Sequence, residues 1–217
     1  MEYLTIAIPK GRLFEPSRKL LVSVGLASEE VSQDTRRMVF ELEEKGVRVV
    51  VMRAQDVPTY VERGTCDIGI VGKDVLVEQR PQVYELLDLK FGFCRVVLAA
   101  PRGREQDPSG HRLTPVRVAT KLPRIAGEYF ASRGLHPELI SLHGSVEVAP
   151  QVGLSDMIVD LVATGRTLAE NDLVIVDEIM KSTARLVANR VSFQMKSSRI
   201  KSMLSVLEKA LEEVDVR

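Results

Sequence analysis

Residues Ser155–Leu168, SDMIVDLVATGRTL, decide how this chain is read. Leu154, Met157, Ile158, Leu161 and Val162 recur at helical spacing, while Asp156, Asp160 and Thr164 follow one another at i, i+4 and i+8. The spacing predicts a helix over 154–163 with an acidic, hydroxyl-bearing stripe opposite an apolar one. That helix then runs into Thr164-Gly165-Arg166-Thr167. A glycine there permits a left-handed or close-approach backbone, two hydroxyls can donate to a phosphate, and an arginine adds charge. A carboxylate close by can accept hydrogen bonds from sugar hydroxyls. A solvated polar face ended by an ordinary glycine cap would give the same spacing. What sets the segment apart is Asp160 followed four residues later by TGRT, because a sugar phosphate needs both functions side by side.

Working outward, short β-rich runs alternate with helical patterns, the rhythm of an α/β protein. Leu4–Pro9 reads as a strand and Phe14–Val24 as an amphipathic helix. Arg37–Leu42 and Val47–Met52 read as strands around the charged turn Glu43–Gly46. Asp56–Arg63 has helical spacing and stops at Gly64; Asp67–Val71 is a buried strand, and Gly72–Glu78 opens a helix. Tyr84–Leu89 and Cys94–Ala100 are further strands. Pro101–Gly110, PRGREQDPSG, has no periodicity and reads as a surface loop or lobe boundary. Beyond it come a strand at Val116–Thr120, a helix at Pro123–Arg133, and strands at Glu138–Leu142 and Leu173–Val176. Val187–Val191 looks extended, and Phe193–Val214 reads as a long amphipathic helix returning to the first lobe. The expectation is an α/β protein of two lobes, with 1–95 plus 180–217 in lobe I, 96–179 in lobe II, and an active-site cleft between them.

Bulk composition narrows the classes. The 217 residues are 45% hydrophobic and 28% charged, an ordinary globular balance. Thirty basic and thirty acidic side chains cancel, which argues against a general nucleic-acid binder. No secretory leader and no membrane-length apolar run are seen, so a cytoplasmic setting is expected, with Cys66 and Cys94 reduced and buried. His111, His136 and His143 do not cluster at a ligand spacing, and none is assigned to a metal.

Three more segments suit anions. Lys10-Gly11-Arg12 follows a strand and opens a helix, although an isolated KGR is more often a basic surface turn. Gly72 and Asp74 close a buried strand at a helix start, and Lys121 and Arg124 flank another first turn. Gly144-Ser145-Val146-Glu147 reads as an N-cap with an acidic first turn.

Asp160 to Thr167, DLVATGRT, resembles the phosphoribosyl-pyrophosphate (PRPP) loop of phosphoribosyltransferases. It departs from the commonest version, which follows a β-strand and carries adjacent acids, whereas these acids are spaced helically. In that departure it is similar to the ATP phosphoribosyltransferases of histidine biosynthesis. IAIPKGRL at Ile6–Leu13, DVPTYVERGTCDIGIVGKD at Asp56–Asp74, KLPRIAGEYF at Lys121–Phe130 and GSVEVAPQVGLSDMIVDLVATGRTL at Gly144–Leu168 carry the same resemblance, in order, over nearly the whole chain.

The resemblance implies a two-lobed fold like that of type II periplasmic binding proteins. It also implies displacement at ribose C1 of PRPP by N1 of ATP, releasing pyrophosphate, with Mg²⁺ as cofactor and its protein ligands unknown. On the PRPP side it places Asp156, Asp160, Ala163, Thr164, Gly165, Arg166 and Thr167, with Glu147 orienting the ribose or a metal-bound water. For ATP it implies Lys10, Gly11, Arg12, Gly72, Asp74, Lys121 and Arg124. Lys10, Arg12, Glu147 and Asp160 would bear most directly on catalysis. The length resembles the short form of the family, which works with a regulatory subunit resembling histidyl-tRNA synthetase; a homodimer of this chain is also expected. Two rivals are a solute-binding protein, disfavoured by the TGRT segment, and a non-catalytic regulatory module on the same fold.

Overall fold

The computed structural model describes residues 3–105 and 115–215, with side chains to Glu212. Glu105 is the last described residue of the predicted 101–110 loop, and the rest of that loop and His111 lie outside the described residues. Two compact units form, Met1–Gly92 with Thr183–Arg217 and Phe93–Ser182.

The first unit begins with β1 (Leu4–Pro9) and α1 (Phe14–Ser23), then β2 (Val39–Leu42), β3 (Val47–Met52), α2 (Val57–Glu62), β4 (Ile68–Gly72), α3 (Lys73–Gln79) and β5 (Val83–Asp88). The second unit follows as β6 (Cys94–Pro101), β7 (Arg117–Thr120), α4 (Pro123–Ala131), β8 (Glu138–Ser141), β9 (Met157–Val162), α5 (Arg166–Glu170) and β10 (Leu173–Ser182). The chain then returns to the first unit through β11 (Ala184–Asn189), α6 (Arg190–Met195) and α7 (Ser197–Asp215).

In the first unit the strand order is β2-β3-β1-β4-β11-β5, with β1 parallel to β3 and β4, and β11 antiparallel to β4 and β5. The two-residue period of a strand divides its core. Leu4, Ile6 and Ile8 of β1 pack with Phe14 and Leu21 of α1 and Ile200, Met203 and Leu207 of α7. Ala7 instead joins Val57 and Val61 of α2, Val71 and Leu76. Each fully buried Ile or Leu contributes about 1.5–3 kcal/mol. The predicted extended run 187–191 stops at Asn189, whose Oδ1 accepts from Val191 N (3.0 Å) and Ser192 N (2.9 Å), capping α6. The predicted terminal helix 193–214 is therefore two helices, broken at Lys196.

In the second unit the order is β10-β6-β9-β7-β8, with β7, β8 and β9 parallel and β6 antiparallel to both neighbours. The predicted helix over 154–163 is overturned: residues 157–162 form strand β9, central between β6 and β7. Met157, Ile158, Val159 and Val162 are all buried. A strand covered on both faces is apolar at nearly every position, so its spacing fits a helix as well as a strand. The β-branched Ile158, Val159 and Val162 favour the strand. β10 runs six residues past its predicted end, with bulges at Ile175/Asp177 and Glu178/Met180. Among the described residues no helix is long and apolar enough to cross a membrane.

Candidate active site

In an open α/β sheet, ligand-binding turns follow the carboxyl ends of parallel strands. The second unit has three such turns. After β7 comes Lys121, after β8 the His143–Glu147 segment, and after β9 Ala163–Thr167. Val162 and Leu168 are buried and anchor the last turn at both ends, leaving Ala163, Thr164, Arg166 and Thr167 exposed. Gly165 takes φ +82° and ψ −3°, a left-handed conformation that opens α5 and strains any residue with a Cβ. Arg166 Nε lies 2.7 Å from Glu170 Oε1.

Asp160 is 9% exposed. The parallel register pairs Thr120 with Val159, so Lys121 falls beside Asp160, and Lys121 Nζ stands 2.9 Å from Asp160 Oδ1. The same Oδ1 accepts from Leu161 N at 2.7 Å. Upstream, Thr120 Oγ1 accepts from Leu122 N (2.9 Å), which fixes the turn that carries Lys121. Glu147 lies half-buried in a 3₁₀ turn at Val146–Val148, entered through Ser145 at φ +49°. Sequence reading missed that left-handed serine, though the Gly144-Ser145 pair is a turn signal.

Asp156 is a correction to the acidic stripe. It precedes β9 at the opposite, amino end, where Arg117 of β7 holds it by N–H (2.9 Å to Oδ2), Nε (3.3 Å to Oδ2) and Nη2 (3.3 Å to Oδ1). That pairing pushes the Arg117 guanidinium above its ordinary pKa, through the hydrogen bond and then the charge of Asp156. Four strand residues span about 13 Å, so Asp156 and Asp160 do not share a face of one turn. The PRPP-like loop does follow a β-strand, contrary to the helical spacing expected of it.

The first unit has its own carboxyl edge, after β1, β3 and β4. Lys10 is half-buried; Gly11 N donates to Gln33 Oε1 (2.8 Å) and Arg12 Nη1 to Gly92 O (2.8 Å). A 3₁₀ turn, Gly11–Leu13, separates them from α1, so the KGR segment does not open the helix directly. Arg53 follows β3 at this edge and was not singled out from the sequence. Asp74 is 6% exposed and folds over Gly72, where a Cβ would stand 2.4 Å from its Oδ1. This close approach explains the glycine. Lys10, Gly11, Arg12, Gly72 and Asp74 thus gather at the edge of one sheet. Lys121 and Arg124 belong to the second unit, with Lys121 beside Asp160.

Away from these edges, Asp177 accepts from Tyr129 Oη (2.6 Å) and Arg133 Nη2 (2.7 Å) on Oδ2, and from Glu178 N (2.8 Å) on Oδ1. Burial, then the Asp177 hydrogen bond, pushes the Tyr129 phenol up to about 12. Burial likewise raises the Cys66 thiol to about 12, with Asp67 adding to the effect. Among the described residues no three His, Cys, Asp or Glu side chains gather to hold a metal. Asp160 with the half-buried Glu147 could offer at most a few carboxylate oxygens, a donor set that fits Mg²⁺ only where phosphates and waters complete its shell.

A family model described as HisG, ATP phosphoribosyltransferase, matches residues 53–209. The ATP phosphoribosyltransferase 2 of Geobacter sulfurreducens is 49% identical over 208 residues, covering 96% of this chain and 98% of that protein. The structure of the ATP phosphoribosyl transferase (HisG:HisZ) complex from Thermotoga maritima superposes with a TM-score of 0.83 at 38% identity, covering 97% of this chain and 99% of that one. The periplasmic aliphatic sulphonate binding protein SsuA of Escherichia coli aligns with a TM-score of 0.61 at 14% identity, over 97% of this chain and 73% of its own, a likeness of fold alone. A two-sheet α/β architecture of the periplasmic-binding-protein kind thus carries a matched stretch that includes both Lys121 and the Asp160–Thr167 turn, and the chain belongs to the ATP phosphoribosyltransferase family.

Proposed function

We propose that this chain catalyses the reaction of its family, transfer of the phosphoribosyl group of PRPP to N1 of ATP with release of pyrophosphate, the first step of L-histidine biosynthesis. The observation that carries the assignment of residues is the end of β9, where Asp160, with its contacts on one carboxylate oxygen, comes four residues before the exposed Thr164–Thr167 turn and its left-handed Gly165. In this reading Ala163–Thr167 hold the 5′-phosphate through backbone N–H groups and hydroxyls, and Asp160 accepts from the ribose hydroxyls. Glu147, on the neighbouring turn, orients the ribose or a water. Asp156, engaged by Arg117, is left out of the site.

Lys10 and Arg12 serve the ATP phosphates or the departing pyrophosphate, and Gly72 and Asp74 shape that edge. Bond making at C1 inverts the sugar through an oxocarbenium-like transition state. Adenine N1 carries no proton, so no general base is needed, and catalysis is positioning and electrostatic stabilisation. Mg²⁺, when bound, would supply charge neutralisation for the leaving pyrophosphate, with Asp160 and Glu147 the carboxylates that could contribute oxygens to it.

The test is direct. Incubation with PRPP, ATP and Mg²⁺ should release pyrophosphate and shift the adenine absorbance. The Thermotoga neighbour is a HisG:HisZ complex, which supports a regulatory partner of that kind for this chain; self-association as a homodimer belongs to the same proposal. Histidine should inhibit the complex and leave the isolated chain unaffected. Binding of both substrates with no turnover, even with the partner supplied, would identify a regulatory module instead. Two buried free cysteines suit the reducing cytoplasm as its setting.

A further inference from the structure

We infer that Lys121 is a positioning residue for the phosphoribosyl substrate, acting through Asp160, rather than part of the ATP site. The inference rests on the proposed role of the Asp160–Thr167 turn. Two groups converge on one carboxylate oxygen: the Lys121 ammonium, paired with Asp160 Oδ1 at 2.9 Å, and Leu161 N, which donates to the same oxygen at 2.7 Å. Among the described residues no hydrogen bond reaches Oδ2. The Asp160 side chain is 13% exposed and that of Lys121 30%, so the pair is shielded on the acid's side and open on the lysine's.

A carboxylate held on one oxygen cannot rotate freely, and its second oxygen is presented in a fixed direction. That is the geometry a sugar hydroxyl requires of an acceptor. The ammonium also neutralises Asp160, so that a ligand carrying phosphate and pyrophosphate charge does not meet a bare anion at the strand end. The lysine is itself fixed by construction: Thr120 is fully buried, pairs with Val159, and binds Leu122 N through its hydroxyl.

The experiment measures binding of PRPP, in the presence of Mg²⁺, and of ATP to the full chain by calorimetry. The variants are Lys121→Met, Lys121→Arg, Asp160→Asn and the Lys121→Met/Asp160→Asn pair. Lys121→Met should weaken PRPP about tenfold and ATP by less than about twofold, with Lys121→Arg recovering most of the loss. In the Asp160→Asn background, Lys121→Met should add almost nothing, because the group it positions is gone. Equal losses for both substrates, or fully additive losses in the double variant, would overturn the inference. Thr167→Val separates it from the reading on which it rests. If Thr167→Val weakens PRPP while Lys121 and Asp160 add independently, only the positioning role fails; if Thr167→Val leaves PRPP untouched, the turn is not the sugar-phosphate site. Melting curves on each variant exclude simple unfolding as the cause.

Discussion

Asp156, just before β9, and Asp160, within it, are four residues apart and have contrasting surroundings. Arg117 occupies both oxygens of Asp156 with three donors, one from the main chain. Asp160 has both of its contacts on Oδ1. Asp177, on β10, resembles Asp156 in having both oxygens taken by protein donors. The contrast separates two uses of a carboxylate. One whose acceptor capacity is consumed internally ties elements together, and one left half satisfied beside an exposed turn can receive a ligand.

The comparison breaks first at Asp160. Asp160→Asn should weaken PRPP by about 10–100-fold, as expected for loss of a charge-assisted acceptor, while ATP binding changes by less than about twofold. Calorimetry showing equal losses would return Asp160 to the class of structural acids. Next comes the turn that follows it. Gly165→Val forces a branched side chain into φ +82°, so folding should lose about 1–2 kcal/mol and PRPP binding about tenfold. Asp156→Asn should do the converse of Asp160→Asn, lowering the midpoint of chemical denaturation slightly with PRPP affinity within about twofold of the parent.

The smallest effect is expected at Asp177. Tyr129→Phe removes one hydrogen bond and about 1 kcal/mol. Because the folded phenol is raised to about 12, its contribution is complete below about pH 10 and fades as pH climbs toward 12. The parent should therefore lose stability over that interval more steeply than the phenylalanine variant.

Much of the fold was legible because local signals agreed. Leu4–Pro9 and Val47–Met52 are strands with the predicted bounds, and Gly64 follows the helix it was expected to end. The strand at 157–162 was not legible as such. Apolar residues at every position but Asp160 satisfy both periods, and only pairing with Ala119 and Leu98 on either side removes the ambiguity. Of the site, the TGRT turn could be read because glycine and hydroxyls announce it. The company of Lys121 could not, since its distance from Asp160 is set by parallel register between segments far apart in sequence. Asp74 reads from the sequence as an acid at a helix start, and its burial close over Gly72 is visible only in the fold.

The pairing of Cys94 with Ser182, the first and last strand residues of the inner unit, has a kinetic corollary. Strand β11 must pair with β5, bringing Arg185 to Asp88 across everything between them. Closing a flexible loop of that length carries an entropic penalty of about 4 kcal/mol by the logarithmic law. Once the inserted segment has zipped its own two ends together, most of that penalty has already been met, and the outer sheet closes over a connection of a few residues. Refolding should then proceed from the insert outward, and a chain nicked between β7 and β8 should recover its outer sheet more slowly than an intact one.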